Sequence, residues 1–211
     1  MKPMKSRTLW MLGLATLAAG CAGMMNTADK EPSDEQVKAL LRESFKAQGQ
    51  AQLDRLDQDD LQRACSQVMP GHPLDSAAAE RIVREQQATL KYPADGLMGD
   101  WKQGEAIAQR GTGKQYSDDP SQPNGGNCYA CHELTKAELS FGTIGPSLYH
   151  FGRNRGFTPE MQKYVYGKVF NPDAFVACSS MPRFGHKGIL TEKQIKDVTA
   201  LLMDPGSPVN Q

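Results

Sequence analysis

The most reactive cluster in the sequence is Cys128-Tyr129-Ala130-Cys131-His132, in which an imidazole directly follows the second of two closely spaced thiols. Two thiols at this spacing form thioethers with a porphyrin, and the adjacent imidazole then binds the iron. The motif therefore predicts one covalently bound haem c with His132 as the proximal ligand. A zinc site would need a second ligand pair, and a thioredoxin-like redox pair would need a βαβ context. The sequence offers neither.

A haem with both axial positions filled needs a second ligand, and the candidates after the motif are His150, Met161, Met181, His186 and Met203. Met181 precedes Pro182, which fixes the backbone directly after the ligand and suits a loop held over the haem face. Met161 and Met203 fall in predicted helices, where packing explains them. Met181 is the predicted ligand, with His186 as the alternative. A thioether ligand raises the reduction potential and suits an electron acceptor.

The turn Gly145-Pro146-Ser147-Leu148 lies between the two predicted ligands. In small c-type cytochromes such a turn offers a backbone carbonyl to the proximal histidine, which fixes the tautomer and orientation of the ring. The Pro146 carbonyl is therefore the predicted partner of His132. A plain surface turn is the alternative.

Cys65 and Cys178 form an even pair if Cys21 is lipidated or removed, and an oxidising compartment favours a disulfide between them. The bridge would tie the N-terminal extension to the loop that carries Met181. Closing so long a loop stabilises the fold by roughly 4–5 kcal/mol in the chain-entropy model. Two unpaired thiols, or a reactive Cys178 close to the haem, are the alternatives.

The N-terminus has the pattern of a secretory signal, with basic residues within 1–7 and a short apolar run over 9–20. We therefore expect residues 1–20 to be a signal peptide and the mature protein to be periplasmic. Cys21 follows a stretch that resembles a bacterial lipobox, although Ala18 stands where Leu is usual. Lipidation of Cys21 would tether the protein to a membrane. In the alternative, cleavage after Ala22 discards Cys21.

Apolar residues at helical spacing, with no strand-like alternation and no internal repeat, predict an all-α protein. We expect a tether at 21–32, a helical extension at 33–98 and a class I-like cytochrome c domain at 99–211. Helices are predicted to begin at or near Ser33, Leu53, Ser76, Asp100, Thr158 and Thr191. The polar loop 112–127 is long for a compact domain, so it is functional or a surface excursion.

Charge is balanced over the whole chain but uneven along it. Residues 22–100 hold 9 basic and 14 acidic residues, whereas residues 101–211 hold 12 and 10. Nothing in this distribution suggests nucleic-acid binding. It suits docking to charged protein partners, and equally an ordinary solvated surface.

Five segments together resemble SoxX, the monohaem subunit of the SoxAX cytochrome of thiosulfate oxidation: 126–132, 142–148, 181–186, 190–198 and 204–210. They are much more specific than the haem motif alone. The likeness covers about residues 101–210, and the preceding extension is similar to that of the longer SoxX forms. It implies that Cys128 and Cys131 attach the haem, with His132 and Met181 as axial ligands.

The resemblance also implies partners. A SoxA-like monohaem or dihaem subunit would carry the sulfur-transfer site of an L-cysteine S-thiosulfotransferase, and a SoxYZ-like carrier would receive the thiosulfate. This chain would then relay electrons to a downstream cytochrome c and would contribute no catalytic residue. Two alternatives stay open. One is a lipid-tethered electron shuttle to a terminal oxidase, and the other is a sulfur-handling enzyme with Cys178 as nucleophile.

Overall fold

The computed structural model of the chain describes residues 31–68 and 73–211. The regular structure in these ranges is helical, which confirms the all-α prediction. The α-helices are α1 (Asp34–Ser44), α2 (Asp60–Ser66), α3 (Ser76–Gln87), α4 (Trp101–Gln109), α5 (Phe151–Arg155), α6 (Pro159–Phe170) and α7 (Glu192–Met203). Short 3-10 turns cover Leu53–Leu56, Cys128–Ala130, Pro172–Ala174 and Pro208–Asn210. The predicted signal peptide and Cys21 lie outside the described residues.

Local capping chemistry sets where the helices begin. The Ser33 hydroxyl accepts from the Gln36 amide, while the Gln36 side chain accepts from the Ser33 N–H. Thr191 and Gln194 form the same reciprocal pair at the start of α7. Each pair satisfies two amides that a helix N-terminus leaves without partners. The predicted starts of α1 and α7 are therefore confirmed.

The helix predicted to run from near Leu53 to Val68 is interrupted. The structure has a 3-10 turn at its start, then extended backbone, and α2 begins only after Asp59. The Asp59 carboxylate accepts from the Gln62 amide, and the Gln62 side chain accepts from the Asp59 N–H. This second start signal divides an apolar run that otherwise has the spacing of one helix.

The described residues divide into two compact units on either side of residue 45. The first contains α1, and the second contains all the other helices. A boundary between extension and cytochrome domain at residue 98 stays a prediction. Inside the second unit, the buried Asn171 at the end of α6 donates from Nδ2 to Gln86 Oε1 and Thr89 Oγ1, each at 2.9 Å. These bonds fix α3 against the end of α6.

Helices α4 and α7 cross at Gly104. A Cβ placed on Gly104 would lie 2.2 Å from the carbonyl oxygen of Asp197, so only glycine permits this approach. At the same crossing the Gly99 amide donates to the Lys196 carbonyl at 3.0 Å, and the Asp100 amide donates to Asp197 Oδ1 at 2.9 Å. Backbone contact therefore locks the two helices together.

Two apolar clusters form the core around this helix pair, and both draw residues from α4 and α7. The first contains Ala108, Tyr129, Leu134, Val165, Leu201, Leu202, Met203 and Val209. The second contains Ile107, Tyr166, Val169, Phe184, Leu190, Ile195 and Val198. In the part of the chain that the structure describes, no helix is long and apolar enough to cross a bilayer.

Candidate functional site

Cys128, Cys131 and His132 lie on one tight turn. The amides of Cys131 and His132 both donate to the Cys128 carbonyl, at 3.1 and 2.9 Å. Two further backbone hydrogen bonds join the start of the turn to the end of α4. The Gly126 amide donates to the Ile107 carbonyl, and the Asn127 amide donates to the Arg110 carbonyl. Asn127 has φ +46°, a left-handed conformation that asparagine tolerates better than most residues. The motif is therefore held by backbone at the end of α4.

Tyr129 anchors the motif from within. Its buried hydroxyl donates to Glu105 Oε1 on α4 at 2.9 Å and contacts the Thr135 hydroxyl at 3.1 Å. Burial, together with the Glu105 carboxylate, raises the pKa of Tyr129, so the phenol stays neutral and can donate. Tyr129 also lies in the first core cluster, which Cys128 contacts. This position explains why the first variable residue of the motif is a large one.

The two motif thiols are free, unlike the other cysteines among the described residues. Burial raises the pKa of the Cys128 thiol to about 12, so this sulfur is protonated at neutral pH. A protonated thiol is a weak nucleophile in displacement chemistry. Neither motif sulfur is in a disulfide, so both are available for thioether formation.

The His132 ring is oriented from one side only. Its Nδ1 lies 2.7 Å from the Pro146 carbonyl oxygen, which can only accept, so the neutral ring carries its proton on Nδ1. Nε2 is left with its lone pair and makes no hydrogen bond to any described residue. The turn also comes close to the ring: a Cβ on Gly145 would lie 2.1 Å from His132 Cε1. Gly145 is thus required sterically, a role that the sequence pattern did not reveal.

Met181 lies on a loop, as its neighbouring proline predicts, and packs against the second core cluster. A short chain of hydrogen bonds supports it. The Met181 amide donates to the Ser179 hydroxyl at 3.2 Å, and the Ser179 amide donates to Asp173 Oδ1 at 2.9 Å. Asp173 is buried, and its burial raises the pKa of its carboxyl. The backbone of the loop is therefore fixed immediately before Met181.

The other candidate ligands have different roles or settings. Met203 is buried in the first core cluster, and Met161 on α6 packs against that cluster. His150 stacks on Tyr149, and its Nε2 lies 2.6 Å from the Gln211 carbonyl oxygen. His186 shares the Met181 loop, and burial first, then the charges of Arg183 and Lys187, lower its pKa.

The residues present fit a covalently attached haem c. The motif supplies two free thiols three positions apart and an imidazole whose Nδ1 is bound to a backbone carbonyl, which orients Nε2 as a ligand. The motif contacts the first core cluster and Met181 the second, and both clusters are built on α4 and α7. Assignment of His132 and Met181 to one iron stays a prediction. Among the described residues, no group of three or more His, Cys, Asp or Glu side chains is placed to hold a bare metal ion.

Comparison with known proteins gives one relative of nearly equal length. An uncharacterized lipoprotein of Aquifex aeolicus is 34% identical over 217 residues, which covers 99% of this chain and 100% of the relative. The chain belongs to the family of this protein. No family profile matches it. A solved structure, SoxXA from P. pantotrophus, is similar over 56% of this chain and 90% of that chain, with 24% identity and a TM-score of 0.37.

In the present chain a disulfide joins Cys65 of α2 to Cys178, which lies three residues before Met181. The Cα atoms lie 5.4 Å apart and the bridge spans 113 residues of sequence. Cys178 has φ +58°, an uncommon conformation for a residue with a Cβ. The bridge therefore attaches the extension directly to the predicted ligand loop. It also removes the thiolate that a nucleophilic Cys178 would need.

An ion-pair cluster makes a second attachment between the same two segments. Asp59 Oδ2, at the start of α2, accepts from Arg183 at 2.7 Å and from Lys187 at 2.8 Å. Burial alone would raise the pKa of Asp59, but hydrogen bonds from Lys187, the Gln62 amide and Arg183 outweigh it and hold that pKa well below its usual range. Sequence reasoning missed this cluster, because residues 59 and 183 share no local pattern.

We expect Cys65→Ser, Cys178→Ser and the double variant to lose the same amount of stability. Each removes one cross-link around a loop of 113 residues, which the chain-entropy model values at roughly 5 kcal/mol. Denaturant unfolding monitored by circular dichroism measures the loss, and wild-type protein treated with reductant should lose as much. A single variant as stable as wild type, or linked peptides absent from a digest of unreduced protein, would contradict the bridge.

Proposed function

We propose that this chain is an exported monohaem cytochrome c that transfers single electrons. The proposal assigns the thioether links to Cys128 and Cys131 and the axial positions to His132 and Met181. The observation that carries it is the hydrogen bond that His132 Nδ1 donates to the Pro146 carbonyl at 2.7 Å, close to the two free thiols of the same motif. With Nδ1 bound in this way, the lone pair of Nε2 is available to bind iron.

Bound haem would supply a one-electron ferric/ferrous couple. The residues of the chain would hold the haem and orient its ligands. Pro146 and Gly145 fix the proximal ring, and Tyr129 joins the attachment turn to α4. The Ser179 and Asp173 hydrogen bonds set the backbone that presents Met181. With both axial positions filled by protein, no coordination site is open to a substrate, which favours electron transfer over substrate chemistry.

At the level of the complex, we propose that the chain is the electron-accepting subunit of a SoxAX-type thiosulfate-coupling enzyme. The support is the set of motif strings that resemble SoxX over residues 101–210. In this assignment a SoxA-like partner performs the sulfur transfer to a SoxYZ-like carrier, and this chain passes the electrons to a downstream cytochrome. The disulfide at Cys178 supports the division of labour, because the chain then offers no free thiolate on the Met181 loop.

A second candidate is a lipid-tethered electron shuttle that works without a tightly held partner. The observations that favour it are that the Aquifex aeolicus relative is described as a lipoprotein and that Cys21 follows a lipobox-like stretch. Lipidation at Cys21 would keep the haem domain at a membrane surface, within reach of a terminal oxidase.

Replacing Met181 with Leu should remove the sulfur-to-iron charge-transfer band of the ferric protein and lower the reduction potential, because the thioether no longer stabilises ferrous iron. Met161→Leu, on α6, is the matched control and should leave both unchanged. Haem content by pyridine haemochrome should be one per chain in all three proteins. An unchanged band and potential in Met181→Leu would show that another residue is the ligand.

The isolated chain should be reduced by its partner complex but should show no thiosulfate-dependent turnover with a carrier protein. The reason is that the group expected to react with sulfur lies on the other subunit. Affinity purification of the native protein, followed by mass spectrometry of the co-purifying chain, tests the partner. Turnover by this chain alone would place the catalytic group here, and recovery of the chain without a second haem protein would favour the shuttle.

Cys21→Ser should move the protein from the membrane fraction to the soluble periplasmic fraction if Cys21 carries lipid, because the acyl chains supply the membrane affinity. Fractionation with immunodetection measures the shift, with wild-type protein from the same preparation as the reference. A soluble wild-type protein would instead support cleavage after Ala22.

A further inference from the structure

The Asp59 carboxylate accepts hydrogen bonds from three donors. Its side chain caps α2 by accepting from the Gln62 amide at 2.9 Å, while its Oδ2 binds both Arg183 and Lys187. Its partner Arg183 is only 8% exposed at the side chain, whereas Lys187 is 42% exposed. Helix capping alone would not need a carboxylate, because Asn caps a helix as well as Asp does.

The two cations occupy the ends of one turn. Arg183 follows Met181 with only Pro182 between them, and the Lys187 amide donates to the Arg183 carbonyl at 2.9 Å. Pro182 has a restricted backbone, so a displacement of Arg183 is transmitted to Met181 rather than absorbed between them. Asp59 therefore holds this turn from outside, on the C-terminal side of the methionine.

The disulfide attaches the loop on the other side of the methionine. Cys178 precedes Met181 by three residues and is bonded to Cys65, at the opposite end of α2 from Asp59. Helix α2 thus contacts the Met181 loop at two points, one covalent and one ionic, that flank the ligand. A cleft lined by both segments separates these points.

We propose that Asp59 is a positioning residue for Met181, acting through Arg183 to keep the thioether on the iron. The inference rests on the proposed His132 and Met181 ligation. Without Asp59, the buried Arg183 keeps its charge but loses the carboxylate that forms its ion pair, and only the longer-range attraction of Asp173 remains. A buried charge without its ion-pair partner is strongly unfavourable. The turn relieves this by moving Arg183 towards water, and Met181 moves with it. Lys187 makes the smaller contribution because its charge is already solvated.

Imidazole binding to the ferric protein measures this positioning directly, because imidazole reaches the iron only when Met181 has left. The apparent affinity for imidazole therefore rises in proportion to the fraction of molecules in which Met181 is not bound to the iron. In Asp59→Asn, which keeps the helix cap and removes the charge, we expect about tenfold tighter apparent binding, equivalent to about 1.4 kcal/mol. The control is Asp75→Asn, since Asp75 caps α3 through the Ala78 amide and forms no ion pair with the described residues.

Asp75→Asn should change imidazole affinity by less than about twofold. Melting temperatures measured alongside separate positioning from general stability. A lower melting temperature in Asp59→Asn with unchanged imidazole affinity would overturn the inference, because Asp59 would then be structural only. If Asp59→Asn yields no haem-containing protein, Arg183→Gln decides, because it removes the ion pair with Asp59 and leaves no unpaired buried charge. Tighter imidazole binding than in wild type supports the inference, and unchanged binding overturns it.

The charge-transfer band of ferric wild type is recorded first. If that band is absent, the axial pair and this inference fail together. If it is present and Asp59→Asn behaves as wild type, the inference fails alone and the proposed function stands.

Discussion

The contact on which the rest of the structure depends is the crossing of α4 and α7 at Gly104. Backbone meets backbone there, because a side chain on Gly104 would occupy the position of the Asp197 carbonyl. The buried Asp197 carboxylate accepts from the Asp100 amide and from Lys193, so its charge is balanced within the contact. Each core cluster takes residues from both helices, and the candidate site takes its geometry from those clusters. The CxxCH turn rests on one cluster and the methionine loop on the other.

Features that depend on nearby residues could be predicted from the sequence. Reciprocal capping pairs at Ser33 and Thr191 begin α1 and α7 where the pattern indicates, since the interacting groups lie within one helical turn. The hydrogen bond between His132 and Pro146 spans 14 positions, and it was predicted from the turn that small c-type cytochromes use rather than from local spacing. The capping pair of Asp59 and Gln62 also indicates that a helix begins at α2. The apolar spacing across this point nevertheless predicted one longer helix.

Features that depend on distant residues could not be predicted. The ion pair of Asp59 with Arg183 joins positions 124 apart, and nothing near either residue specifies the other. The close approach of Gly145 to the imidazole is similar in kind, because a glycine in a turn has many possible reasons and only the folded geometry selects one. Composition indicates that the extension is helical. It does not indicate that α2 lies against the methionine loop.

The Cys65–Cys178 bridge also changes the covalent topology of the molecule. Residues 66–177, including the entire attachment motif, lie inside a closed ring, and α7 lies outside it. A protease that cuts the backbone once within the ring leaves both pieces joined, so the segment with the Cys128–His132 motif stays covalently connected to both ends of the chain. A molecule nicked once within the ring therefore remains a single molecule.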